Sequence, residues 1–291
     1  MRALSCTVRP VVYRTISCIS LAVLPATGMS AWAAAPGQPD GWPLLAAPPS
    51  ARAGPPRSAE ADAATYERCM KTAREDPAAG RKSAQGWRDR GGGHAAEHCL
   101  AVALIGLRQY KDAATRLEAL GQAMVRAPVA LRADVLGQAG QAWLLAGDAA
   151  RAYAAGSAAL ALRPDDPDLL LDRAEAAGSA GWYDKAVADL DQVLGADPAR
   201  LDALIYRASA YRAQERLDPA LTDIGAALKL APDSTAALLE RGNIRASRGD
   251  ADGARQDWQR VFALAPGTPA AAAATKNIER LRQAAAPART R

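Results

Sequence analysis

Histidine is nearly absent from this 291-residue chain, which holds only His94 and His98. They stand one helical turn apart beside Cys99, a spacing that can hold a metal on one helix face. No third ligand with a matching motif is nearby, and no metal is assigned. The signatures of common chemistries are missing too: there is no HExxH, no Walker loop, no GxSxG and no CxxC. The glycine run Gly91-Gly92-Gly93 lacks the Lys-Ser/Thr that would follow it in a phosphate cradle. No catalytic residue and no cofactor is therefore assigned, and the chain reads as a non-enzyme. A metal bound at His94 and His98 would be the cheapest observation against that reading.

Long apolar runs are also lacking. The one candidate, Ile16 to Leu24, is interrupted soon after by Pro25 and Gly28 and is short for a bilayer span. Arg2, Arg9 and Arg14 precede it, and Ala31-Trp32-Ala33 follows, a pattern that resembles a secretory signal peptide over residues 1–33. Cleavage is expected after Ala33 or Ala35, with export to the periplasm or beyond; an uncleaved anchor is the alternative. The Pro/Gly/Ala-rich stretch 34–60 reads as an unfolded linker. Residues 1–33 contain three arginines and no acid, so their removal lowers the formal charge from +5 to +2. No basic stripe interleaved with aromatics remains to meet nucleic acid, and no basic amphipathic face to meet a membrane. Neither is expected as a partner, and no membrane insertion of the mature chain is expected.

Of four cysteines, Cys6 and Cys18 would leave with the signal. Cys69 and Cys99 remain, an even pair in an oxidising compartment, which makes a disulfide the natural hypothesis. Both fall on first helices of adjacent units, and packed helices lie about 8 to 10 Å apart, close enough for cysteines on matching faces. Such a bond would stabilise by about 3 to 4 kcal/mol in the chain-entropy account. The alternative is two separate buried thiols.

What the chain does have is a period. Pro164, Pro198, Pro232 and Pro266 are 34 residues apart, and so are Leu136, Leu170, Leu204 and Leu238, and Ala152, Ala186, Ala220 and Ala254. Agreement of several registers over four units marks a repeat architecture. Each unit opens with a helical stripe of leucine and then a small residue (Gly140, Ala174, Ala208, Gly242). A turn follows at Gly147-Asp148, Gly181 or Gly249-Asp250, then a second helix carrying the periodic alanine. Proline closes the unit because it lacks an N–H and disfavours helix before it. Each unit is thus two antiparallel helices whose small residues let the backbones approach.

This signature resembles the tetratricopeptide repeat (TPR), in four consecutive copies at 133–166, 167–200, 201–234 and 235–268. A degenerate copy is expected at 94–132, with Ala101, Tyr110, Ala113 and Leu117 in register, Arg108 in place of the turn glycine and a second helix about five residues overlong. Before it, 61–93 reads as a cap-like helix pair broken at Asp76-Pro77. After the last copy, 269–291 reads as a C-terminal capping helix, Pro269 to Ala285, with a short tail. The fold class expected is all-α, a TPR-type right-handed superhelical solenoid of antiparallel helix pairs.

Charges recur with the period: Arg173, Arg207 and Arg241, each followed 16 residues later by Asp189, Asp223 and Asp257. The unit that lacks the arginine lacks the acid as well, having Ala139 and Ala155. Co-occurrence favours structural ion pairs, since an inward arginine requires an internal partner; a ladder for an anionic ligand is the other reading. The resemblance implies a concave groove lined by first helices, which TPR proteins use to hold a peptide or partner protein. The places that it implies for ligand contact are Gln138, Gln141, Asp168, Asp172, Glu175, Asp202, Tyr206, Ser209, Arg212, Glu240 and Asn243. The set is polar and leans acidic, so a basic segment is slightly preferred. The function expected is a non-catalytic interaction module or scaffold of the bacterial cell envelope, with a self-associating assembly factor as the alternative.

Overall fold

The computed structural model describes residues 59–285, which fold into helices joined by turns. The expected signal peptide, most of the linker and the tail after Ala285 lie outside the described residues. The helices fall into two compact units that divide between Gln109 and Tyr110, inside the stretch read as one degenerate repeat.

The first unit holds α1 (Ala59–Glu75), α2 (Pro77–Asp89) and α3 (Gly93–Gly106). The chain breaks between α1 and α2 because Pro77 has no N–H to continue a helix, while Asp76 Oδ1 accepts from Ala78 N at 3.1 Å and Ala79 N at 3.0 Å. The two helices then lie so close that any side chain at Gly80 would collide with Ala73 Cα. α3 packs on both and buries Ala96, Cys99, Leu100, Ala103 and Leu104. Cys69 on α1 and Cys99 on α3 form a disulfide, with their Cα atoms 6.1 Å apart.

The second unit begins with α4 (Tyr110–Ala123), which packs on α5. Four helix pairs follow: α5 (Val129–Leu145) with α6 (Ala149–Leu160), α7 (Pro167–Ser179) with α8 (Tyr183–Ala196), α9 (Leu201–Ala213) with α10 (Leu217–Leu230), and α11 (Thr235–Ser247) with α12 (Ala251–Leu264). Helix α13 (Pro269–Ala285) lies on α12 and touches α11. The periodic leucines and alanines are all buried. At the small-residue place, a side chain at Gly242 would run into the Trp258 indole, and one at Gly140 would press within 3.2 Å of Ala152 O. Pro198, Pro232 and Pro266 each stand two residues past a helix end.

One expectation needs correcting. Helix α4 has 14 residues, the same as α8, α10 and α12, so it is not overlong. The extra residues form the loop 124–128 and an early first turn of α5, which starts at Val129. Pro128, with φ −52° and ψ 137°, holds that loop extended and launches the helix. At the turns between paired helices Gly147, Gly181 and Gly249 have φ of 79°, 77° and 89°, and Glu215 takes the same left-handed conformation at 60°. Arg108, after α3, does so at 58°.

Candidate functional site

The first helices of the second unit approach one another directly, α5 to α7, α7 to α9, α9 to α11 and α11 to α13, whereas successive second helices do not come as close. The first helices therefore line the inner side of the stack. Polar side chains bridge this inner face from one unit to the next. Gln141 Nε2 donates to Asp172 Oδ2 at 2.9 Å, linking α5 to α7. Arg200, at the N-terminus of α9, donates from Nη2 to Asp168 Oδ1 at 2.7 Å and from Nε to Asp202 Oδ1 at 2.7 Å. The bond to Asp202, more than that to Asp168, holds its guanidinium pKa well above the usual range, against the opposing effect of burial.

The far end of the face carries a longer network. Arg212 Nε donates to Glu240 Oε1 at 2.6 Å, Asn243 Nδ2 to Glu240 Oε2 at 3.0 Å, and Asn277 Nδ2 to Asn243 Oδ1 at 2.9 Å. It runs through α9, α11 and α13. Glu240 is only 8% exposed, so this acid is a buried link of the face with its carboxylate already taken. Gln138, Glu175, Tyr206 and Ser209 are half-buried on the same helices. Sequence reasoning missed Arg200 and Asn277. Asn277 had a signal, since it stands one period after Asn243; Arg200 lies just outside its helix, where the periodic pattern does not look.

Between the paired helices runs a second set of charges, the spine. Arg173 donates from Nε and Nη2 to Asp189 at 2.8 and 2.6 Å, Arg207 to Asp223 at 2.8 and 2.8 Å, and Arg241 to Asp257 at 2.9 and 2.6 Å. Each is a bidentate fork, the geometry in which arginine and carboxylate bind most strongly. The aspartates are buried, 6%, 6% and 3% exposed. Hydrogen bonding to the aspartate raises each arginine pKa, with burial opposing it. Arg207 also reaches back to Asp191 on α8 at 2.7 Å, and Arg245 donates a further bond to Asp257 at 2.8 Å. In the unit without a pair, Ala139 and Ala155 are buried in the two places. The spine arginines are thus engaged inside the stack.

In the first unit the Tyr66 hydroxyl lies 2.7 Å from His98 Nδ1 and their rings stack, while His94 is exposed. Burial pushes the Tyr66 phenol up, with Arg74 opposing. No group of three or more His, Cys, Asp or Glu among the described residues is placed to hold a metal ion. No helix among them is long and apolar enough to cross a membrane.

No family model and no curated protein sequence matches the chain. Solved structures do. A tetratricopeptide repeat protein from Parabacteroides merdae aligns over 76% of this chain and 88% of its own, with TM-score 0.64 at 14% identity. MamA from Desulfovibrio magneticus RS-1 aligns over 59% and 94%, with TM-score 0.51 at 20% identity. YrrB, described as a TPR protein with an unusual peptide-binding site, aligns over 62% and 97%, with TM-score 0.50 at 18% identity. The fold shared with these structures is the tetratricopeptide-repeat solenoid, all-α and built of consecutive packed helix pairs. At such identities the likeness establishes the fold and nothing further.

Proposed function

We propose that this chain is a non-catalytic protein-interaction module that holds a segment of a partner protein along the inner face of its first helices. The observation that carries the reading is the inner face itself. Polar side chains from successive repeats are hydrogen-bonded there from one helix to the next, as Gln141 to Asp172, Arg200 to Asp168 and Arg212 to Glu240, while the spine arginines are engaged between helices. A side chain already held in place by its neighbour loses little freedom on meeting a ligand, which favours recognition. The acids Asp168, Asp172, Glu175 and Asp202 lean the face toward a basic segment. That YrrB is described as having a peptide-binding site lends support by analogy of fold.

We further place the protein in the bacterial periplasm or cell envelope. The support is the signal-like pattern of residues 1–33 together with the Cys69–Cys99 bond, which suits an oxidising compartment.

The test is in-situ crosslinking and co-purification of the full chain from fractionated cells, compared with a Gln138→Ala, Glu175→Ala, Tyr206→Ala variant. Arg212 and Asn243 are left intact because both bond the buried Glu240, and removing Arg212 would take away its counter-ion. A partner from the envelope fraction that is lost with the variant, while the thermal melt is preserved, supports the reading. A partner retained by both moves binding off the inner face. A concentration-dependent homo-oligomer with no other partner replaces the adaptor with a self-associating assembly factor.

A further inference from the structure

A second feature stands apart from the inner face, on the second-helix side between α6 and α8. The Trp182 ring meets the Tyr153 ring edge-on, with centroids 5.2 Å apart and planes at 88°. Into this right-angled corner the chain directs its own ammonium: Lys185 Nζ lies 4.3 Å from the Trp182 centroid and 4.8 Å from that of Tyr153. Both centroids lie within the roughly 6 Å over which a ring attracts a cation, so the two rings act on one ammonium together. Among the described residues Lys185 makes no ion pair; it is an exposed residue whose ammonium rests against the two rings.

The walls are set by other parts of the fold. Tyr153 is half-buried, with the Arg173 guanidinium 5.4 Å from its centroid, and Arg173 is itself fixed by Asp189. Trp182 is anchored through its backbone, donating to Ala177 O at 2.8 Å and accepting from Ala186 N at 3.1 Å. Trp182 as a whole residue is 37% exposed, and Lys185 is exposed beside it, so the corner lies at the surface. The repeat does not require this device. One period on, the same three places hold Val187, Arg216 and Pro219, and one further on Leu221, Asp250 and Gly253, yet the helix pairs pack alike.

We infer that the Tyr153–Trp182 corner is a binding site for an alkylammonium group, which Lys185 occupies until a ligand cation displaces it. The shared chemistry is a positive charge on an apolar surround, from either a lysine side chain or a quaternary amine.

The test is titration of the full chain and of Lys185→Ala with butylammonium, tetramethylammonium and neutral tert-butanol. The readout is the Trp182 indole N–H resonance by NMR, assigned by its loss in Trp182→Phe. Both cations are expected to shift that resonance in Lys185→Ala, about two- to five-fold more tightly than in the parent, because the internal competitor is gone. Tighter binding of butylammonium points to a lysine as source, tighter binding of tetramethylammonium to a quaternary amine. Tyr153→Leu, which keeps an apolar side chain on α6, is expected to lose the cation response. The inference is overturned if neither cation shifts the resonance in Lys185→Ala, or if tert-butanol shifts it equally.

Discussion

At the scale of single residues, the spine aspartates have the most to lose. Asp223 faces the Arg207 fork inside the stack, and Arg207 is only 21% exposed. Asp223→Ala leaves that charge partly buried with Asp191 as its remaining carboxylate. A cost of about 2 to 4 kcal/mol is expected in urea denaturation, somewhat below that of a fully buried pair. Combining Arg207→Met with Asp223→Leu should recover most of it, and the affinity of any inner-face ligand should move far less. The Asp223 hydrogen bond raises the Arg207 pKa, and this fixes the sign of the pH dependence: stability from the guanidinium is present throughout ordinary pH and fades only as pH rises past the usual arginine range. Glu215 makes the opposite kind of prediction. Its φ of 60° strains a side-chain-bearing residue where the sister turns use glycine. Glu215→Gly should therefore raise stability by about 0.5 to 1 kcal/mol, the relief of strain exceeding the added freedom of the unfolded chain. A lowered urea midpoint would show that the side chain contributes more than the strain removes.

At the scale of helices, the disulfide ties α1 to α3 within the first unit alone. Reduction is expected to remove about 3 to 4 kcal/mol of protection there, read by amide hydrogen exchange, and to leave α7 to α12 unchanged. A uniform loss across both units would mean that the units do not unfold separately. The helices themselves were legible in the sequence because their causes recur: a leucine stripe, a small residue at the crossing, a turn glycine and a closing proline each appear several times and corroborate one another. The spine pairs were legible for the same reason, because arginine and aspartate come and go together at a fixed spacing. The inner-face bridges were not. Arg212 to Glu240 and Arg200 to Asp168 join places that do not correspond from one unit to the next, and only the juxtaposition of helices reveals them. The loop at 124–128 was hidden because a slip in register shows that residues are extra without showing whether helix or loop absorbs them.

At the scale of the molecule, stability in such an array is a sum of units and of the seams between neighbours. Helix α13 closes the last seam with buried Ala271 and Ala274 and with Ile278 and Leu281 packed on the core. Truncation after Thr268 is expected to cost about 3 kcal/mol and to produce self-association from the uncovered face, measured by thermal melts and light scattering. A truncated chain that melts unchanged would remove α13 from the cooperative structure.

The spine pairs and the face bridges also differ in where their partners lie. Arg207 and Asp223 belong to the same repeat, so an in-frame excision of 201–234 would remove both, and Arg241 would move into register with Asp191. The same excision would strand Glu240, because Arg212 would be gone and Gly178 would stand in its place. Recombination in the gene can therefore add or drop a whole repeat without leaving an orphaned charge on the spine, but not without damaging the face. The number and order of repeats are held by a constraint that no single repeat carries.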